Sequence, residues 1–119
     1  MSDDLVSPRR EHPVLGVEAR GGDVIVRLAG ELDLYNAEDV RTALAKAIET
    51  MPRRIVVDMA AVEFVDSTAL GVLIEARARL GEDALLLAAP QLETRRTLQV
   101  SGLDQHLAVH DSVDDALTA

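Results

Sequence analysis

Cysteine and tryptophan are absent from the 119 residues, and Tyr35 and Phe64 are the only aromatic side chains. Without cysteine there is neither a disulfide framework nor a thiolate metal site, and His12, His106 and His110 do not fall at ligand spacing. No metal and no other cofactor is expected. Two aromatics supply too little surface for stacking on bases or sugars. Positive charge is also scarce: twelve basic residues face twenty-one acidic ones, a net charge of −9. That balance opposes a phosphate backbone and an anionic membrane surface alike, so neither direct nucleic-acid binding nor membrane attachment is expected. No run approaches the about 18 apolar residues of a membrane span, and the segment from Met1 to Arg10 lacks the apolar core of a signal peptide. The expectation is a cytoplasmic, soluble protein.

What the chain does contain is aliphatic. Hydrophobic residues make up 48% of it, nearly all Leu, Val, Ala and Ile, and mean hydropathy is near zero. This is the make-up of one core-forming domain built from aliphatic layers. Residues 1–13 are polar, contain Pro8 and Pro13 and show no periodicity, which reads as a flexible tail, with order beginning near Val14 and a single domain over 14–118.

From Val14 to Arg20 and from Asp23 to Gly30 the pattern alternates, with Val24, Val26 and Leu28 on one face and Gly21-Gly22 at the turn, predicting a β-hairpin. Ala37, Val40, Leu44, Ala47, Ile48 and Met51 then recur at helical steps, with Asn36 as N-cap and Pro52 as stop. Ile55-Val56-Val57, within Arg53 to Met59, is a β-branched run suited to a strand covered on both faces. Residues 67–80 return to a helical pattern with Leu70, Leu73, Ile74 and Leu80 inward, closed by Gly81. Ala84 to Ala89 is assigned to a strand by context. Pro90 to Ser101 reads as a helix ended by Gly102, Leu107-Ala108-Val109 as a last strand, and Asp111 or Ser112 as the cap of a final helix through Leu117. The order ββαβαβαβα predicts an α/β fold: a small, mostly parallel sheet with one N-terminal antiparallel strand, flanked by helices.

The segment Val62-Glu63-Phe64-Val65-Asp66-Ser67-Thr68-Ala69-Leu70-Gly71-Val72-Leu73 lies between a buried strand and a helix start, where open α/β sheets place their sites. Asp66, Ser67 and Thr68 suit helix capping equally well. A catalytic serine is disfavoured, because no Gly-x-Ser-x-Gly elbow surrounds Ser67 and no histidine is placed to serve it; paired catalytic carboxylates and a glycine-rich phosphate loop are missing too. The chain does not read as an enzyme. Arg95-Arg96 reads either as a seat for an acidic partner or as a solvated helix face.

Four features in order carry a resemblance: Gly30-Glu31-Leu32-Asp33; a strand ending in Asp58; Phe64-Val65-Asp66-Ser67-Thr68-Ala69-Leu70-Gly71-Val72-Leu73; and Ser101-Gly102-Leu103 before the last strand. Over roughly residues 14–118 the sequence resembles the STAS domains of bacterial anti-sigma factor antagonists. The resemblance implies that the unphosphorylated chain captures an anti-sigma factor that is also a serine kinase, which frees a sigma factor. It implies further that phosphorylation of Ser67 ends the capture and that a metal-dependent serine phosphatase resets it.

Asp33, Asp66, Thr68, Leu70 and Gly71 are then candidate partner contacts. Asp33 is equally a turn residue or a cap, and Leu70 reads as a core residue ahead of a contact residue. Ala69 stands where the family often has glycine, and Thr94 and Thr97 stand where aliphatics are frequent. A monomer or weak dimer is expected. The alternative is a scaffold or transport-associated module of the same fold without a reversible phospho-switch.

Overall fold

The computed structural model describes residues 12–119; the expected tail lies, apart from His12 and Pro13, outside the described residues. Ten elements follow one another: β1 (Val14–Arg20), β2 (Asp23–Leu32), α1 (Ala37–Glu49), β3 (Arg54–Val65), α2 (Ser67–Leu80), β4 (Leu85–Ala88), α3 (Leu92–Ser101), a 3-10 turn (Leu103–Gln105), β5 (Ala108–His110) and α4 (Val113–Leu117). The strands form one five-stranded sheet in the order β1-β2-β3-β4-β5. β1 runs antiparallel to β2, and every later neighbour is parallel. This is the α/β arrangement expected from the sequence.

The hairpin forms because Gly21 and Gly22 both take positive φ, 58° and 92°, which gives the turn the hand that matches strand twist. β2 and β3 are covered on both sides. Val24, Val26, Leu28, Ile55 and Val57 join α1 and α2 in the larger core, whereas Ile25, Val56, Leu86 and Ala116 build a smaller one under α4. The α4 end is held by Arg54, which donates to the carbonyls of Leu117 at 2.6 Å and Ala119 at 2.9 Å and pairs with the buried Asp23 at 2.9 Å.

Two expectations need correction. β3 does not stop at Met59 but continues to Val65, because β2 also runs on, to Leu32, and gives it a partner: Ala29 pairs with Ala61, and Leu32 with Val65. β4 pairs only with residues 55–58, so the far half of β3 forms with β2 a two-stranded ribbon projecting past the sheet. Two register shifts fall in this ribbon. As a result its buried residues are Met59, Val62 and Val65, a three-residue step that disguises a strand, whose ordinary period is two. Asp58 accepts the Ala60 N–H at 3.0 Å, and Gln91 donates to the Ala60 carbonyl at 2.9 Å, so the irregular edge is satisfied by side chains.

The second correction concerns Asn36. It occupies the position before α1 but makes no capping bond to the helix. Its side chain instead accepts from the Asp33 N–H at 2.9 Å and donates to the Glu31 carbonyl at 2.7 Å. An asparagine that finds backbone partners behind it no longer has its oxygen available for the helix.

Candidate functional site

The tip of the β2–β3 ribbon and the first turn of α2 meet at Asp66. β3 ends at Val65 and α2 begins at Ser67, so a single extended residue, φ −105° and ψ −179°, makes the whole connection. Asp66 serves four bonds. Its N–H donates to the Leu32 carbonyl at 3.0 Å, and its own carbonyl accepts from Leu70 at 3.0 Å. One carboxylate oxygen accepts the Ala69 N–H at 3.0 Å, and the other accepts the Leu34 N–H at 3.1 Å. Asp66 is therefore the N-cap of α2 and at once the anchor of the β2–α1 loop.

That loop is shaped locally as well. Gly30 takes φ 78° beside the second register shift, a conformation that favours glycine. Asp33 accepts the Tyr35 N–H at 3.0 Å, an Asx turn that makes it a loop-shaping residue rather than the cap of α1. With the Asn36 staple and the Asp66 bond, the backbone of Leu34-Tyr35 is held from several sides while the side chains stay in water: Leu34 is 65% exposed and Tyr35 82%. Phe64, near the end of β3, is 51% exposed. Large apolar groups held at a rigid rim suit contact with another macromolecule.

Ser67 and Thr68 are exposed in the first turn of α2. No acidic side chain other than the Asp66 cap lies there, so the positive end of the helix dipole remains available to added negative charge. Gly71 is exposed one turn on, and a Cβ placed there would meet nothing within 4 Å; the backbone is bare at this point for close approach. Leu70 is different, being 6% exposed and part of the core, although its edge reaches a groove of about 420 Å³ shared with Ser67, Glu93, Arg96, Thr97, Val100 and Ser101.

The structure thus brings Asp33, Asp66, Ser67, Thr68 and Gly71 to one rim and turns Leu70 mainly inward. Leu34, Tyr35 and Phe64 were not singled out from the sequence as site residues. The signal was present, because the only two aromatics and an aliphatic without a helical or strand partner flank the two motifs that meet here. The polar stretch of α3 is resolved as well. Thr94 is buried, with no partner for its hydroxyl, and Thr97 donates to the Glu93 carbonyl at 3.0 Å.

The STAS domain family matches residues 15–116, and the chain belongs to it. Among its relatives, the anti-sigma F factor antagonist of Paenibacillus polymyxa is 34% identical over 86% of this chain and 90% of its own length. Among solved structures, an anti-sigma factor antagonist from Mycobacterium paratuberculosis is 32% identical with a TM-score of 0.81, covering 88% of this chain and 90% of that one. The antagonist SpoIIAA in its unphosphorylated form is 25% identical with a TM-score of 0.72, covering 86% of this chain and 91% of its own. The Bacillus cell fate determinant SpoIIAA, solved in the phosphorylated form, is also 25% identical with a TM-score of 0.65, covering 87% and 96%.

Proposed function

We propose that this chain is an anti-sigma factor antagonist, a binding protein rather than an enzyme. Its unphosphorylated form captures an anti-sigma factor that is also a serine kinase, and a sigma factor is released. The observation that carries this reading is the setting of Ser67, exposed at the first position of α2 directly after the Asp66 cap, on the rim that holds Leu34, Tyr35 and Phe64 in water. Relatives named as antagonists support it, as does a structural neighbour solved with and without phosphate.

The kinase ends the association by transferring the terminal phosphoryl group of ATP to Ser67 Oγ. The bond to ADP breaks, the Oγ–P bond forms, and the hydroxyl proton leaves to a base of the kinase. The new group carries between one and two negative charges. Against a partner carboxylate about 5 Å away, each unit costs on the order of 3 kcal/mol at an effective dielectric near 20. That is roughly a hundredfold in affinity, enough to open a moderate interface. The α2 terminus tolerates the charge, so the domain stays folded while the complex parts. A metal-dependent serine phosphatase returns the chain to its binding form.

Affinity capture from cells with the wild-type chain, Ser67→Ala and Ser67→Glu tests this function. A serine kinase of the anti-sigma type is expected with the first two and is lost or weakened with the third. Incubation with that kinase and ATP, followed by mass spectrometry, should place phosphate on Ser67. Modification elsewhere with Ser67 untouched would overturn the reading.

A further inference from the structure

The groove beside Ser67 has a second wall. Glu93, Arg96, Thr97, Val100 and Ser101 recur at three- and four-residue steps and so share one face of α3, opposite Ser67 and Leu70 of α2. Arg96 is the cation among these lining residues. Its ion partner is Glu93 at 3.6 Å, on the same helix and, like Arg96, well exposed to water, a geometry that holds a guanidinium weakly. The neighbouring Arg95 is committed elsewhere, to Asp111 at 3.1 Å.

We infer that Arg96 is the positioning residue of the phosphorylated state: phosphate on Ser67 draws the Arg96 guanidinium away from Glu93 and pairs with it across the groove. This rests on the reading of Ser67 as the phosphoacceptor. The physical ground is a competition between two anions for one cation. Glu93 offers a single charge, whereas phosphate offers up to two charges and three acceptor oxygens matched to the planar guanidinium fork. Among the described residues the other charged group lining the groove is Glu93, and Asp66 directly precedes Ser67; both are acidic, so Arg96 is the counter-charge that the lining supplies.

Bridging α2 to α3 adds a second component to the switch. The phosphate repels a partner's carboxylate and also closes a groove lined by the exposed Val100 and the edge of the buried Leu70. Glutamate at position 67 is singly charged and offers two oxygens in place of three, and it reproduces only part of this. Ser67→Glu is accordingly expected to be a weaker off-state than phosphoserine.

The test uses the full chain with phosphoserine genetically encoded at position 67 and follows its 31P resonance with pH. A cation at the phosphate favours the dianion and lowers its second pKa. In Arg96→Gln that pKa should lie about half a pH unit or more above its value in the otherwise wild-type phosphoprotein, while Arg95→Gln leaves it in place. Arg96→Lys, which keeps the charge without the fork, should fall between them. Superimposable titrations of Arg96→Gln and wild type, in chains with the same urea midpoint, would overturn the assignment. Because the phosphate is encoded, this outcome is separate from failure of the proposed function, which would appear as a kinase that leaves Ser67 unmodified.

Discussion

The Asp66 carboxylate accepts the Leu34 N–H at 3.1 Å, joining two loops 32 residues apart in sequence, while its other oxygen caps α2 through Ala69. The residue before Ser67 thereby sets where the exposed Leu34-Tyr35 pair stands. Asp66→Ala should lose both bonds and cost about 1–2 kcal/mol in urea unfolding. Asp66→Asn keeps one acceptor oxygen and should cost less. Amide exchange read by NMR should show faster exchange at Leu34 and Ala69 in the alanine variant, and unchanged protection at Leu34 would refute the tie.

Gly71 separates a contact role from a structural one. It is helical, exposed and unobstructed, so Gly71→Ala should raise stability by about 0.5–1 kcal/mol through helix propensity and a less flexible unfolded chain. If the proposed partner approaches the bare backbone there, the same substitution should weaken its binding about tenfold, measured by calorimetry. A stabilised variant that binds as tightly as wild type would remove Gly71 from the interface.

Leu34 and Tyr35 give the complementary case. Their side chains contribute little to the core, so Leu34→Ser and Tyr35→Ser should leave the unfolding midpoint within about 0.5 kcal/mol of wild type. As rim anchors of a partner surface, each should cost on the order of 1–2 kcal/mol of binding. Equal affinities in the variants and wild type would place the interface elsewhere.

Asp23 predicts an acid-sensitive fold. Hydrogen bonds from Arg54, then from Arg53, hold its carboxyl below the ordinary aspartate value of 3.8 despite burial, and Arg54 is shifted upward by the same contact. A carboxyl with a depressed native pKa binds its proton more readily when unfolded. It therefore contributes full stability above about pH 4 and loses that contribution as pH falls through its lowered native value. Asp23→Asn should be less stable at pH 7, by about 3 kcal/mol because the cation is left near the core without its partner. Its deficit relative to wild type should shrink as pH drops below about 4. A deficit constant with pH would show that the pair contributes nothing through ionisation.

Much of this protein was legible in its residues. Periodicity and punctuation are local properties, and they sufficed for α2 between Asp66 and Gly81, for the Gly21-Gly22 hairpin and for the α/β order, because hydrophobic spacing and positive-φ glycines act within one element. The far half of β3 was hidden because its register shifts put Met59, Val62 and Val65 inward at a step no strand template contains; only pairing with the extended β2 decides it. Asn36 matches a cap in sequence because capping a helix and bonding back to the preceding loop demand the same side chain, and which backbone groups lie within reach depends on the folded loop.

Asp66 and Ser67 mark the same boundary. The sequence by itself determined that a hydroxyl would follow a capping carboxylate at the start of a helix after a buried strand. Only the tertiary structure brought Leu34, 32 residues upstream, onto that carboxylate, and Arg96, a helix away, into the groove of that hydroxyl. Contacts between segments distant in the chain follow from how the elements pack, and no local pattern encodes them.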